Sequence, residues 1–238
     1  MPPPVAEKHL SPVREVLTAW SIAFGVLLIA FLVARPWAKV LATVAFLYVP
    51  LWFLRRRGED AGDYGLTFRH WRKDLAVAAK VLAVVTPLFI LVFWAFVQAI
   101  QWAPSSWRAM LTPLNLEPHF AFRLPARFPE WVLDQLFVVA LPEEFFYRGY
   151  MQTRLRTAWP DGRSFLGVRW GRAFWVTALL FALGHLAIFQ VWRLAVFFPA
   201  LLFGWVRERT GTVLGATLVH AGCNLLEMVL EASFFGPR

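Results

Sequence analysis

Charge is scarce in this chain. Asp, Glu, Lys and Arg make up 16% of its 238 residues, against ~25% in an ordinary soluble domain. With 59% hydrophobic residues and a mean hydropathy of +0.55, a separate soluble domain is excluded. Cysteine is almost missing: Cys223 stands alone, so no intramolecular disulfide can form and the redox compartment stays unread. Internal repeats are absent. Lysine is rare as well, 4 against 20 arginines, and the net charge is +9. In a soluble protein that surplus would suggest nucleic acid. Here the basic residues cluster between apolar runs, so membrane topology accounts for them and no nucleic-acid partner is expected. There is no cleavable signal peptide pattern. Met1-Pro2-Pro3-Pro4 leads into mixed charge, and the first apolar run is expected to act as an uncleaved signal anchor.

Long apolar runs are what the chain has, several of 17 residues or more, each about long enough to cross ~30 Å of hydrocarbon. The expected fold is an all-α polytopic membrane protein with about seven transmembrane helices (six to eight) around a polar intramembrane cavity. Spans are placed at 16–34, 38–54, 75–100, 130–147, 173–190, 194–206 and 212–235. Arg35-Pro36-Trp37 forms a tight turn between the first two, and Pro87 interrupts the third. A loop to about 129 with prolines at 104, 113, 118, 125 and 129 cannot be regular helix. Residues 148–172 are expected to hold an interfacial helix and a turn at Trp159-Pro160-Asp161-Gly162. The sixth span is short enough to be partial or tilted. The chain divides into a tail (1–15), two N-terminal transmembrane helices (16–57) and a core (58–238). With the N-terminus cytoplasmic, sixteen Lys and Arg fall on the cytoplasmic side and seven on the other, which predicts N-in and C-out. Tryptophans near span ends (Trp37, Trp71, Trp102, Trp131) suit interfacial anchoring.

Three polar motifs interrupt these runs: Glu143-Glu144-Phe145-Phe146-Tyr147-Arg148, Phe181-Ala182-Leu183-Gly184-His185 and His220-Ala221-Gly222-Cys223-Asn224. A charge at bilayer depth costs roughly 2.5–3.5 kcal/mol on insertion scales. Adjacent carboxylates in low dielectric do not both ionise cheaply, and one of them can take a proton from water. Arg148, one turn after Glu144, can pair with it and leave Glu143 as the base. Pro142 is expected to kink the helix just before the pair. His220 and Asn224 share a helix face, with Glu227 and Glu231 near the same stripe. Each motif has a plainer reading: a span end reaching interfacial water, a hydrogen-bonded core histidine, an interhelical polar stripe. Their co-occurrence in three spans favours a shared site. A base, two imidazoles and an amide donor are the parts needed to hydrolyse an amide. Cys223 reads as a small core residue rather than a thiolate.

The set EExxxR, FxxxH and HxxxN resembles the CAAX-processing and bacteriocin-processing (CPBP, or ABI) intramembrane proteases, whose best known type is the Ras-converting CAAX endoprotease. Asp63-Tyr64-Gly65-Leu66 also resembles that family's segment upstream of its core. The likeness spans about residues 60–235. It implies that Glu143 activates water, that His185 helps position it, and that His220 with Asn224 holds the oxyanion, while Glu144 and Arg148 shape the base's surroundings. It implies a membrane-associated protein or peptide as substrate. The family has been described both as metal-dependent and as glutamate-dependent. No cofactor is favoured; zinc on Glu143, His185 and His220 is the alternative. No HExxH, GxSG or GxGD motif is present, so the other intramembrane protease classes fit poorly. The excess of arginine over lysine suggests a GC-rich bacterial genome, hence a cytoplasmic-membrane location. Bacterial members are linked with peptide maturation, immunity and removal of C-terminal sorting tails. Two further readings stay open: a non-proteolytic immunity or scaffold protein of the same family, and a proton-coupled transporter using the same side chains as a relay.

Overall fold

A computed structural model describes residues 10–104, 106 and 119–235. The tail residues 1–9 with Lys8, the loop residues 105 and 107–118 with Arg108, Pro113 and Pro118, and residues 236–238 with Arg238 lie outside the described residues.

The described chain is mostly helical and forms seven rods. Helix α1 is Pro12–Val33. Its proline opens the first turn, where an N–H would have no partner anyway. A single 3-10 turn at Arg35–Trp37 leads into α2, Ala38–Arg57. This helix stops at Gly58, whose φ of 68° admits the left-handed cap; Gly58 N donates to Arg55 O and Glu59 N to Leu54 O, at 3.2 and 3.0 Å. Helix α3, Trp71–Trp102, runs about 48 Å and continues through Pro87 rather than breaking there. Helix α4 runs from 128 to 158, and α5 is Arg172–Gly184. After two 3-10 segments, His185–Ile188 and Val191–Val196, come α6 (Phe197–Thr210) and α7 (Val213–Phe235).

Among the described residues, four helices are long and apolar enough to cross a membrane: α1, α2 with its preceding turn, α3 and α7. This is an integral membrane protein. Val84, Leu88, Leu91 and Val92 on α3 are exposed, as side chains facing lipid would be.

Two expectations need correction. The fourth span does not end at the paired glutamates. The helix continues to Ala158, so Glu143 and Glu144 sit in mid-helix and no separate interfacial helix follows. The arginines beyond the glutamates are neutralised from a distance: Arg154 binds buried Glu15 of α1 at 3.1 Å, and Arg156 pairs with Glu208 of α6. The all-α reading also missed an antiparallel hairpin, β1 Arg163–Phe165 with β2 Val168–Trp170.

The rods alternate in direction. The start of α1, the end of α2 and the end of α4 meet through Glu15, Arg57, Tyr150 and Arg154. The start of α3, the end of α6 and the start of α7 meet through bonds from Lys73 to Thr210 O (3.3 Å) and from Thr212 to Asp74 (2.7 Å). Val213 N reaches Gly65 O at 2.9 Å and Arg207 reaches Tyr64 O at 3.3 Å, joining the two groups. One face of the molecule therefore gathers these termini. The main apolar core packs α1, α2 and α5 around residues 145–155 of α4; a second joins α3, α6 and α7.

Candidate active site

Helix α4 is wound unevenly where the chemistry sits. Residues Asp134–Ala140 and Phe145–Met151 are π-helical, and the α-helical turn Leu141–Glu144 lies between them. Wide turns of this kind recur at functional sites. Pro142 has no N–H to offer Val138 O, its α-helical partner. Thr43 of α2 supplies a donor instead, its hydroxyl 2.7 Å from that carbonyl.

The two glutamates are not equivalent. Glu144 is fully buried, and its Oε1 accepts from Arg148 Nη1 at 3.0 Å and from His220 Nδ1 at 2.8 Å. Arg148, 1% exposed, also donates to Ala200 O at 3.2 Å. Its guanidinium lies 4.2 Å over the Phe181 ring and 5.4 Å from that of Phe203, contacts that strengthen when desolvated. Phe203 also stacks on His220, centroids 4.6 Å apart and nearly parallel. The ion pair and one imidazole are thus clamped between two aromatic rings.

Glu143 is left outside this arrangement. Its side chain is 17% exposed and makes no ion pair with Arg148; its Oε2 stands 3.9 Å from His220 Nε2. That oxygen is buried and has no hydrogen-bond partner among the described residues. A gap of this length between two polar atoms suits a bridging water or a substrate group.

His185 stands just past the end of α5, in the 3-10 turn rather than inside a span. Its Nδ1 lies 2.9 Å from Phe181 O. A carbonyl only accepts, so Nδ1 carries the proton and Nε2 is an acceptor in the neutral ring. Phe181 packs beside both imidazoles, 4.7 Å from His185 and 6.1 Å from His220. Gly184 makes room for α4: a Cβ there would lie 2.6 Å from the Tyr147 hydroxyl.

Asn224, one turn beyond His220, donates Nδ2 to Gln135 Oε1 at 2.8 Å. One amide N–H is thereby fixed, and the other has no protein acceptor among the described residues. Gln135, Phe203, Thr43 and Tyr147 were not picked out from the sequence. Glu227 and Glu231 are both exposed on α7. Among the described residues, no group of three or more His, Cys, Asp or Glu side chains is placed to hold a metal ion, and His220 Nδ1 is already committed to Glu144.

Residues 125–226 match the family model described as Type II CAAX prenyl endopeptidase Rce1-like. No curated protein and no solved structure matches the chain. The matched segment holds Glu143, Glu144, Arg148, His185, Phe203, His220 and Asn224, together with Gln135. Through the segment that carries this constellation, the chain is similar to the Rce1-like CAAX endopeptidase family.

Proposed function

We propose that this protein is an intramembrane endopeptidase of the glutamate-dependent kind, cutting a peptide bond in a membrane-associated protein or peptide. The observation that carries this reading is the asymmetry of the adjacent carboxylates. Glu144 is tied through Oε1 to both Arg148 and His220 and is fully buried, while Glu143 is bonded to neither, is partly exposed, and turns a free oxygen toward His220 Nε2. In the reaction, Glu143 takes a proton from water as the water oxygen attacks the scissile carbonyl carbon. His185 Nε2 accepts from the same water and orients it. The carbonyl oxygen gains the negative charge and accepts from the second Asn224 N–H and from His220. Donation by His220 requires a proton on Nε2 as well as Nδ1, and Glu144 is the counter-ion for that state. Collapse of the tetrahedral adduct breaks the C–N bond, and Glu143 returns its proton to the departing amine. The products are one carboxylic acid and one amine.

All seven rods are taken as membrane-embedded, α5 and α6 incompletely, in a bacterial cytoplasmic membrane with the N-terminus inside and the C-terminus outside. Removal of a hydrophobic C-terminal tail is the processing role that suits lateral entry from lipid. The test compares wild type with Glu143→Gln by terminus-resolved mass spectrometry of host membranes and secreted proteins. Loss of defined termini, accumulation of precursors and direct cleavage of those precursors by purified protein support the reading. Unchanged termini at equal expression favour the non-proteolytic scaffold or immunity role. Full activity after strong chelation supports the metal-free chemistry; loss of activity with rescue by zinc overturns it.

A further inference from the structure

The β1–β2 hairpin is small, yet it is built in an unusual way. Phe165 pairs with Val168, leaving Leu166 and Gly167 as a two-residue turn. Both have positive φ, 51° and 73°. Such turns favour Asn-Gly, because a residue with a Cβ is strained there. Leucine carries that strain here while leaving its side chain 63% exposed, next to Phe165 at 62%. In water neither placement gains anything. Backbone strain kept at an exposed apolar tip points to a contact outside the folded chain.

The tip is held rigidly. Trp205 Nε1 donates to Leu166 O at 3.0 Å and Trp170 Nε1 to Phe165 O at 2.9 Å. A Cβ on Gly167 would collide with the Arg209 guanidinium. Arg163, Arg169 and Arg209 are all exposed around it, and the sequence contains no Asp or Glu between Asp161 and Glu208. Trp170, Trp175 and Trp205 lie beside it, the residue type enriched at the headgroup level of membranes. The hairpin projects between the end of α4 and the start of α5, on the face where the other arginine-bearing helix ends gather.

We infer that this hairpin is a docking element for anionic phospholipid headgroups, with Phe165 and Leu166 inserted at the interface and Arg163, Arg169 and Arg209 bound to headgroup phosphates. The occupant is a lipid leaflet because an apolar tip ringed by cations, whose flanking acids Asp161 and Glu208 are paired with Arg172 and Arg156, is complementary to an anionic interface. Docking would also fix the depth of the two helices that carry Glu143 and precede His185, since the hairpin joins them. The inference does not depend on the proposed hydrolysis.

The test uses the full-length protein in nanodiscs of phosphatidylcholine, with and without phosphatidylglycerol. A polarity-sensitive dye is attached at Leu166→Cys in a Cys223→Ala background, and lipids carrying shallow quenchers report insertion. The expected result is a blue-shifted dye, quenched in anionic discs and weakened by salt. Replacing Arg163 or Arg169 by Gln should lower insertion about fivefold each. Leu166→Asn separates docking from folding. It should hold or raise the melting temperature in detergent, because asparagine tolerates left-handed backbone, while a dye at Phe165→Cys loses its quenching. A dye reporting water in both lipid compositions overturns the inference. So does equal insertion in neutral and anionic discs, and so does shielding that appears only when a protein partner is added.

Discussion

His220 and Glu144 are joined by a 2.8 Å hydrogen bond between Nδ1 and Oε1, and that bond fixes which way the other ring nitrogen points. It turns Nε2 toward Glu143. The two neighbouring carboxylates should therefore fail in different ways. Glu143→Gln should leave the melting temperature in detergent unchanged and lower kcat by roughly 10²–10⁴. Glu144→Gln should strand Arg148 without its counter-charge and cost about 3–5 kcal/mol of stability, as well as activity. Thermal unfolding and peptide cleavage on both variants check this. Equal thermal stability of the two would contradict the division of roles.

Asn224→Ala should reduce kcat by about 10²–10³, the usual cost of a lost oxyanion donor. Gln135 acts on the substrate only through Asn224, as a positioning residue. Gln135→Leu should thus lower kcat by less, with KM unchanged. Gln135→Glu keeps an acceptor oxygen for the Asn224 amide and should recover most of the loss. Steady-state kinetics on a cleavable peptide decide it; a change confined to KM would place Gln135 in substrate binding instead.

Gly184 and Tyr147 can be tested as a pair. The Cβ of Gly184→Ala would meet the Tyr147 hydroxyl at 2.6 Å, and overpacking of this sort costs about 1–3 kcal/mol. Tyr147→Phe removes the colliding oxygen, so the double variant should regain stability over Gly184→Ala alone. A purely additive cycle, read by thermal unfolding, would mean the contact is relieved by backbone movement.

The loop after α2 should show an acid-dependent contribution. Arg57 donates to Glu59 at 2.9 and 2.7 Å, and that hydrogen bond is the main cause holding the Glu59 carboxyl below its ordinary range. A carboxyl depressed in the folded state adds stability above its unfolded pKa, about 4.3, and loses it as pH falls through the folded value. The stability gap between wild type and Glu59→Gln should be full near neutrality and close under acid. Melting curves across pH measure the gap; one that stays constant into acid refutes the assignment.

Glutamates, histidines and an asparagine inside apolar runs were legible in the sequence because the bilayer makes each one costly. Arg148 was legible as the partner of Glu144 because four residues make one helical turn. The end of α4 was misread for a related reason. Arg154 and Arg156 follow the glutamates, and their counter-ions, Glu15 and Glu208, come from helices far away in the chain. No local pattern carries that pairing. Gln135, next to Asp134, carries no signal of its own in the sequence; its partner Asn224 comes from α7. Thr43 and Phe203 are ordinary residues in apolar helices, and only the three-dimensional packing sets one against Val138 and the other against His220. The hairpin was obscured because leucine stands where the turn favours asparagine.

The two π-helical stretches that bracket Leu141–Glu144 give the catalytic helix an angular phase of its own. In a regular α-helix each residue advances the direction of its side chain by about 100°. A wide turn absorbs a residue without the matching advance along the axis. The stretch before the glutamates sets where they point relative to α7, and the stretch after them resets the helix so that Tyr150 and Arg154 still meet Glu15. Substitutions can leave that phase intact. Deleting a single residue between 134 and 140 would turn Glu143 by about a quarter revolution away from His220, with every catalytic side chain still present.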